Sequence, residues 1–113
     1  MFHLVLHGLV PLVVALLAYR ARWRLALVVM LATMAVDVDH LLADPVYDPL
    51  RCSIGFHPLH TVTAITVYVA LFLGPWCVSA WRKRPLEGPA WFIHVAGLGL
   101  LIHMLLDGID CLA

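Results

Sequence analysis

Two carboxylates and an imidazole, Asp37, Asp39 and His40, stand at the end of an apolar run long enough to cross a membrane. Ionisable groups at that depth cost roughly 2.5–3.5 kcal/mol each unless they are paired, solvated or bound to something. On a helix Asp37 and His40 share a face at i, i+3, while Asp39 points about 160° away from Asp37. One carboxylate beside one imidazole is half of a metal site. The rest of the chain offers more of the same: His3 and His7 near the start, His57 and His60 around Pro58, and His103, Asp107 and Asp110 at i, i+4, i+7. Neutral imidazole with Asp oxygen suits a divalent transition metal, zinc first and iron or manganese otherwise, and no paired cysteines stand at thiolate-ligand spacing. The candidate ligands are His7, Asp37, His40, His57, His60, His103 and Asp107, enough for one to three ions. Which of Asp37 and Asp39 binds the ion stays open, since Asp39 serves equally well to orient a ligand histidine.

The elements that must position these residues are helices in a membrane. The 113 residues are 64% hydrophobic and only 12% charged, with a mean hydropathy of +0.98, whereas a soluble domain is about half apolar and a quarter charged. The net charge of zero gives no reason to expect nucleic acid as a partner. The expected fold is all-α, one integral domain of four transmembrane helices at about 4–19, 23–42, 58–81 and 90–109. Pro11 removes the bond to the carbonyl of His7, the stretch around Asp44-Pro45 and Asp48-Pro49 ends the second helix, and Pro58 suits the first turn of the third, with His57 at its cap.

Six of the seven Lys and Arg residues fall in the connections at 20–24 and 82–84, and Arg51 alone lies in the middle loop. The positive-inside rule therefore puts both termini and the loop around 44–57 outside the cytoplasm. That orientation gathers six of the seven histidines and all six aspartates toward one membrane face, contributed by four helices. His94 is the exception, about 13–14 Å deeper along its helix than His103, and is left out of the site. Singly, each group has a plain structural reading: an interfacial histidine, a turn aspartate, an interhelical hydrogen bond between His103 and Asp107. Together they form clusters at one depth, the way bundles build metal sites. Cys52 and Cys111 both fall on the outer side, where an oxidising compartment permits a disulfide. Cys77 is expected as a buried thiol.

Asp-x-Asp-His after an apolar helix, His57-Pro58-Leu59-His60-Thr61 opening the next and His103-x-x-x-Asp107-Gly108 near the end together resemble the bacterial membrane-bound metal-dependent hydrolases. That group includes inner-membrane members regulated by the LexA repressor. The run Arg51 to His60 and the ending Asp107-Gly108-Ile109-Asp110-Cys111 look closer still to a small bacterial membrane family of about this length, to which no activity is assigned. The wider group is remotely similar to zinc-dependent phospholipase C and P1-type nucleases, which hold zinc with His and Asp, including a His-x-x-x-Asp pair on one helix. The resemblance implies His103 and Asp107 as such a pair, with Asp37 or Asp39, His40, His57 and His60 as further ligands. The sequence departs from that group in lacking a large soluble domain and in matching only part of a trinuclear ligand set.

The expected function is hydrolysis of a lipid-linked phosphoester at the outer face of a bacterial inner membrane, the site facing the periplasm or cell exterior. Asp39 or Asp110 would act as general base, and Arg51, the single outer cation, would bind phosphate. The bilayer is the expected partner, a lipid or lipid phosphate the expected substrate, and a homodimer completing the pocket is compatible with four short helices. The alternatives are a non-catalytic metal- or haem-binding membrane protein and a structural scaffold whose polar groups hold helices together.

Overall fold

The computed structural model describes residues 2–42, 52, 54, 55 and 57–112; side chains at 2–4, 39–42, 110 and 112 lie outside that description. Among the described residues the chain is all-helical. It runs α1 (Phe2–Ala18), a 3-10 turn (Arg20–Arg22), α2 (Trp23–Ala32), a 3-10 helix (Thr33–Leu42), a second 3-10 turn (Pro58–His60), α3 (Val62–Arg82) and α4 (Pro89–Leu112). The molecule measures 48 × 26 × 22 Å. Helix α4 is the axis of the arrangement: α1, α2 and α3 all pack against it, and α3 packs chiefly against it. Ala15, Ala26, Met30, Trp91, Val95, Ile102 and Leu106 form the core among α1, α2 and α4, and Val36, Tyr68 and Met104 form a smaller one toward α3.

Two glycines in α4 decide how close its neighbours come. A Cβ on Gly97 would stand 2.5 Å from the backbone nitrogen of Phe72, and one on Gly99 would stand 2.9 Å from the Cα of Met30 and 2.8 Å from the Thr33 hydroxyl. Small residues at such crossings let two backbones approach within packing distance. Gly97 therefore seats α3, and Gly99 seats α2.

The second helix departs from the expected continuous α-helix over 23–42. At Thr33 the winding tightens, and Thr33 Oγ1 donates to the carbonyl of Met30. A hydroxyl that bonds a nearby carbonyl competes with the α ladder, and the ten residues from Thr33 to Leu42 are 3-10. Runs of that length are uncommon. Three residues per turn keep backbone positions 37 and 40 in one register, and a rise of about 2.0 Å per residue carries the segment about 5 Å farther than an α-helix would.

The third helix also starts later than expected. Pro58 opens its own 3-10 turn behind His57, and Thr61 caps α3: its hydroxyl accepts from the Ala64 amide at 3.3 Å and donates to the Pro58 carbonyl at 3.1 Å. At the far end Lys83 takes a left-handed conformation (φ 55°) and the Arg84 amide bonds back to the Ser79 carbonyl, the Schellman closure. Gly88, with φ 64°, turns the chain into Pro89, the first residue of α4.

Helices α3 and α4 are long and apolar enough to cross a membrane, and α1 is a shorter apolar helix. Much of that apolar surface faces outward, with Leu17, Val62 and Trp81 among the most exposed side chains. Cys77 corrects an expectation: its thiol is exposed on α3, not buried. Cys52 and Cys111 form a disulfide that joins the segment before α3 to the end of α4.

Candidate metal centre

Helices α2 and α4 run parallel, and the contact at Gly99 sets their register. Thr33 meets Gly99, and four residues further along each helix Asp37 meets His103, with Nε2 to Oδ1 at 2.9 Å. The pair at the glycine and the pair at the site share one sequence offset, so the close crossing delivers the carboxylate to the imidazole.

His60 arrives on a turn pinned from several sides. The Gly55 amide bonds the His60 carbonyl at 3.0 Å, the His60 amide bonds the His57 carbonyl at 2.9 Å, and Tyr68 Oη, from α3, donates to the Leu59 carbonyl at 2.7 Å. The ring is fully buried, and its Nε2 lies 3.3 Å from Asp37 Oδ1 and 3.1 Å from Asp107 Oδ2. On α4, His103 Nε2 lies 3.1 Å from that same Asp107 oxygen, one helical turn on. Four atoms thus alternate around a ring: nitrogen of His103, oxygen of Asp37, nitrogen of His60, oxygen of Asp107. All four lie within 4.8 Å of one another.

The chemistry of this donor set fits a metal ion. Sides of about 3 Å leave a centre about 1.9 Å from each corner if the ring is puckered to a tetrahedron and about 2.2 Å if it is flat, against zinc bonds of about 2.0–2.2 Å to nitrogen and oxygen. Without a cation, two carboxylate oxygens at most 4.8 Å apart repel each other by about 3 kcal/mol or more at an effective dielectric of ~20, before screening at Asp37. Protons on the two Nε2 atoms, or an ion at the centre, offset that repulsion. The cluster of Asp37, His60, His103 and Asp107 can therefore hold a metal ion.

His7, from α1, stands beside this group. Its Nε2 lies 3.1 Å from Asp107 Oδ1, the oxygen turned away from the ring, and its imidazole packs edge-on against His103 at 4.6 Å. His57 is buried with its ring 5.6 Å from that of His60 and stands outside the four-donor group. The side chains of Asp39, His40 and Asp110, and the whole of Arg51, lie outside the described residues. Among the four donors Asp37 alone has substantial exposure, 40% of its side chain against 0–5% for the others.

His94 stands apart, as its depth suggested, but its partner was not readable from the sequence. Nδ1 donates to the Phe72 carbonyl at 2.7 Å and Nε2 accepts from Tyr19 Oη at 2.7 Å, while the ring stacks on Phe72 at 4.7 Å. A carbonyl only accepts, so Nδ1 carries a proton, and both ring nitrogens have a partner. Gly97, one turn beyond His94, lets α3 come close enough for that carbonyl bond. A tyrosine beside an arginine run and a Gly-x-Gly inside an apolar helix were the available signals.

No curated protein and no solved structure matches this chain. Residues 1–79 match the model of DUF6122, a family of unknown function. The matched stretch carries His7, Asp37, His57 and His60 and ends before α4, where His103 and Asp107 lie. Matching over more than half its length, the chain belongs to the DUF6122 family.

Proposed function

We propose that this is a four-span bacterial inner-membrane protein whose termini and His/Asp centre lie on the non-cytoplasmic side, and that it hydrolyses a lipid-linked phosphoester with a divalent transition metal, zinc first. The membrane reading is supported by an inside-out distribution of polarity. Six ionisable or polar side chains, five histidines and Asp107, are buried among the described residues, while large apolar side chains face outward. Only 11% of the apolar stretch of α3 is buried in the protein. In water, so much contiguous apolar surface would drive association; in lipid it is the ordinary outer face. The orientation is supported by two features at opposite ends. The arginine-rich connections flank the start of α4, and the Cys52–Cys111 disulfide, which needs an oxidising compartment, closes its other end.

The observation that carries the functional reading is the four-donor ring of Asp37, His60, His103 and Asp107. An ion held there would supply Lewis acidity toward a phosphoryl oxygen and lower the pKa of a bound water. The exposure of Asp37 gives the centre a side open to its surroundings, and that end of the bundle is where a lipid headgroup sits. The hydrolase part rests on the family resemblance of the motifs, an analogy of sites and not of whole folds. Asp39 or Asp110 as base and Arg51 as phosphate ligand belong to the same proposal.

A second reading has its own support. Four protein donors already make up the ligand count of closed structural sites, whereas catalytic zinc keeps one position for water. On that reading the protein binds metal without catalysis. Metal content of the detergent-purified chain and of His103→Ala, measured by mass spectrometry, tests what both readings share. About one ion per chain, lost in the variant, is expected; no transition metal after reloading would sink both. Cleavage of a phospholipid and isoprenoid-phosphate panel by loaded but not metal-stripped protein then selects the hydrolase, and equal background rates select the non-catalytic centre.

A further inference from the structure

The end of the bundle opposite the His/Asp centre carries a second feature. A groove of about 680 Å³ runs between α1 and α3 with α4 as its floor, lined by Val14, Ala18, Phe72, Trp76, Trp91 and Leu98 among others. That size falls within the ordinary range for small-molecule sites. The one polar pair in its wall, Tyr19 with His94, is already bonded to itself and to Phe72. At the rim, the Arg22 guanidinium lies 4.2 Å above the centre of the Trp91 ring. Arg22 also lines an adjoining hollow of about 440 Å³ with Arg20 and Arg24. On the other flank Ser79, which lines the groove, donates from its hydroxyl to the Arg84 carbonyl. Six cations therefore surround this end, with Glu87 as the single acid near it.

We propose that this groove binds one anionic phospholipid, its phosphate at Arg22 and the neighbouring arginines and its acyl chains against the aromatic floor. Each half of the feature alone would ask for something simpler. A free phosphate uses arginines but has no use for an apolar floor, and a zwitterionic lipid fills the floor but gains little from unbalanced positive charge. Only an anionic amphiphile uses both. Basic pockets between helices on the cytoplasmic side recognise lipid headgroups in this way, and a guanidinium held over an indole is positioned to make a charge-assisted bond to phosphate. The inference rests on the membrane reading and not on the metal centre. Extraction of the chain from the membrane fraction only by detergent establishes that reading first, so that its failure and the failure of the lipid site are distinguishable.

The test is native mass spectrometry of the full chain in neutral detergent, incubated with equal amounts of dioleoyl phosphatidylglycerol and dioleoyl phosphatidylcholine. One retained lipid is expected, with phosphatidylglycerol favoured about fivefold or more, the effect of a single nearby arginine. Arg22→Gln should remove most of that preference. Ala18→Trp, at an exposed position at the end of α1, should fill the groove and reduce retention of both lipids. Equal retention of the two lipids by the wild-type chain overturns the proposal. So does an unchanged preference in Arg22→Gln, or unchanged retention in Ala18→Trp, when circular dichroism shows the variant to be as helical as the parent, or displacement of the lipid by inorganic phosphate.

Discussion

Helix α4 carries two buried histidines nine residues apart, and they are treated in opposite ways. His94 has a carbonyl on one nitrogen and a phenol on the other, both neutral and both at 2.7 Å. Both nitrogens are occupied, and the ring acts as a strut between α3 and the end of α1. His103 turns one nitrogen toward two carboxylates at once, and its Nδ1, also buried, meets no hydrogen-bond partner among the described residues. A carboxylate accepts as a carbonyl does, so without a cation the Nε2 facing them carries a proton, and an ion at the centre would take the proton's place on it. The residue type and the helix are the same; the partners make one histidine structural and the other a ligand candidate. Each is also served by its own glycine, Gly97 for the close approach of α3 and Gly99 for that of α2.

The largest expected effect separates the two histidines directly. His103→Ala should lower metal affinity by a hundredfold or more, above the roughly 10–100-fold that follows loss of a group merely supporting a ligand. His94→Ala should leave the metal content of the purified chain unchanged. Equal loss in both would mean that the two ends are not independent. The glycines sharpen the contrast without touching a donor. Gly99→Ala forces α2 away from α4 and should weaken metal binding about tenfold with all four donors present, as followed by competition with a chromophoric chelator. Gly97→Ala strains the α3 crossing and should cost about 1–3 kcal/mol in thermal unfolding with metal affinity retained. The smallest effect belongs to Tyr19→Phe. Loss of one hydrogen bond to His94 should destabilise the chain by about 1 kcal/mol, with no change in metal content; a loss of metal there would break the comparison.

How far these assignments were legible in the sequence depends on how local each one is. His103 and Asp107 are one turn apart on a helix whose period is fixed, so their shared face follows from spacing alone. Asp37 was readable as intramembrane and in need of a partner, but its partner was not, because the register of α2 on α4 is set by Gly99 and a crossing of backbones leaves no charge or periodicity to notice. His57 and His60 read alike, three residues apart around Pro58. The turn that buries one against the other is decided by Gly55, Thr61 and Tyr68 together. The 3-10 segment was likewise hidden, since Thr33 inside an apolar run looks like any helical threonine until its hydroxyl is seen on the Met30 carbonyl. Tyr19 and His94 are 75 positions apart, and only the antiparallel packing of α1 on α4 brings them together.

The disulfide has a consequence for how the molecule is put together. Linking Cys52 to Cys111 closes a covalent loop around the Pro58–His60 turn, α3 and α4. That loop contains His60, His103 and Asp107, whereas Asp37 and His7 belong to the hairpin outside it. The molecule is thus two hairpins, one clasped by a covalent bond and one not, with the donor ring straddling the seam. An ion at that seam would act as a rivet between the two halves, and a chelator would loosen the joint while a reductant would open the clasp, two separable ways of taking the same protein apart.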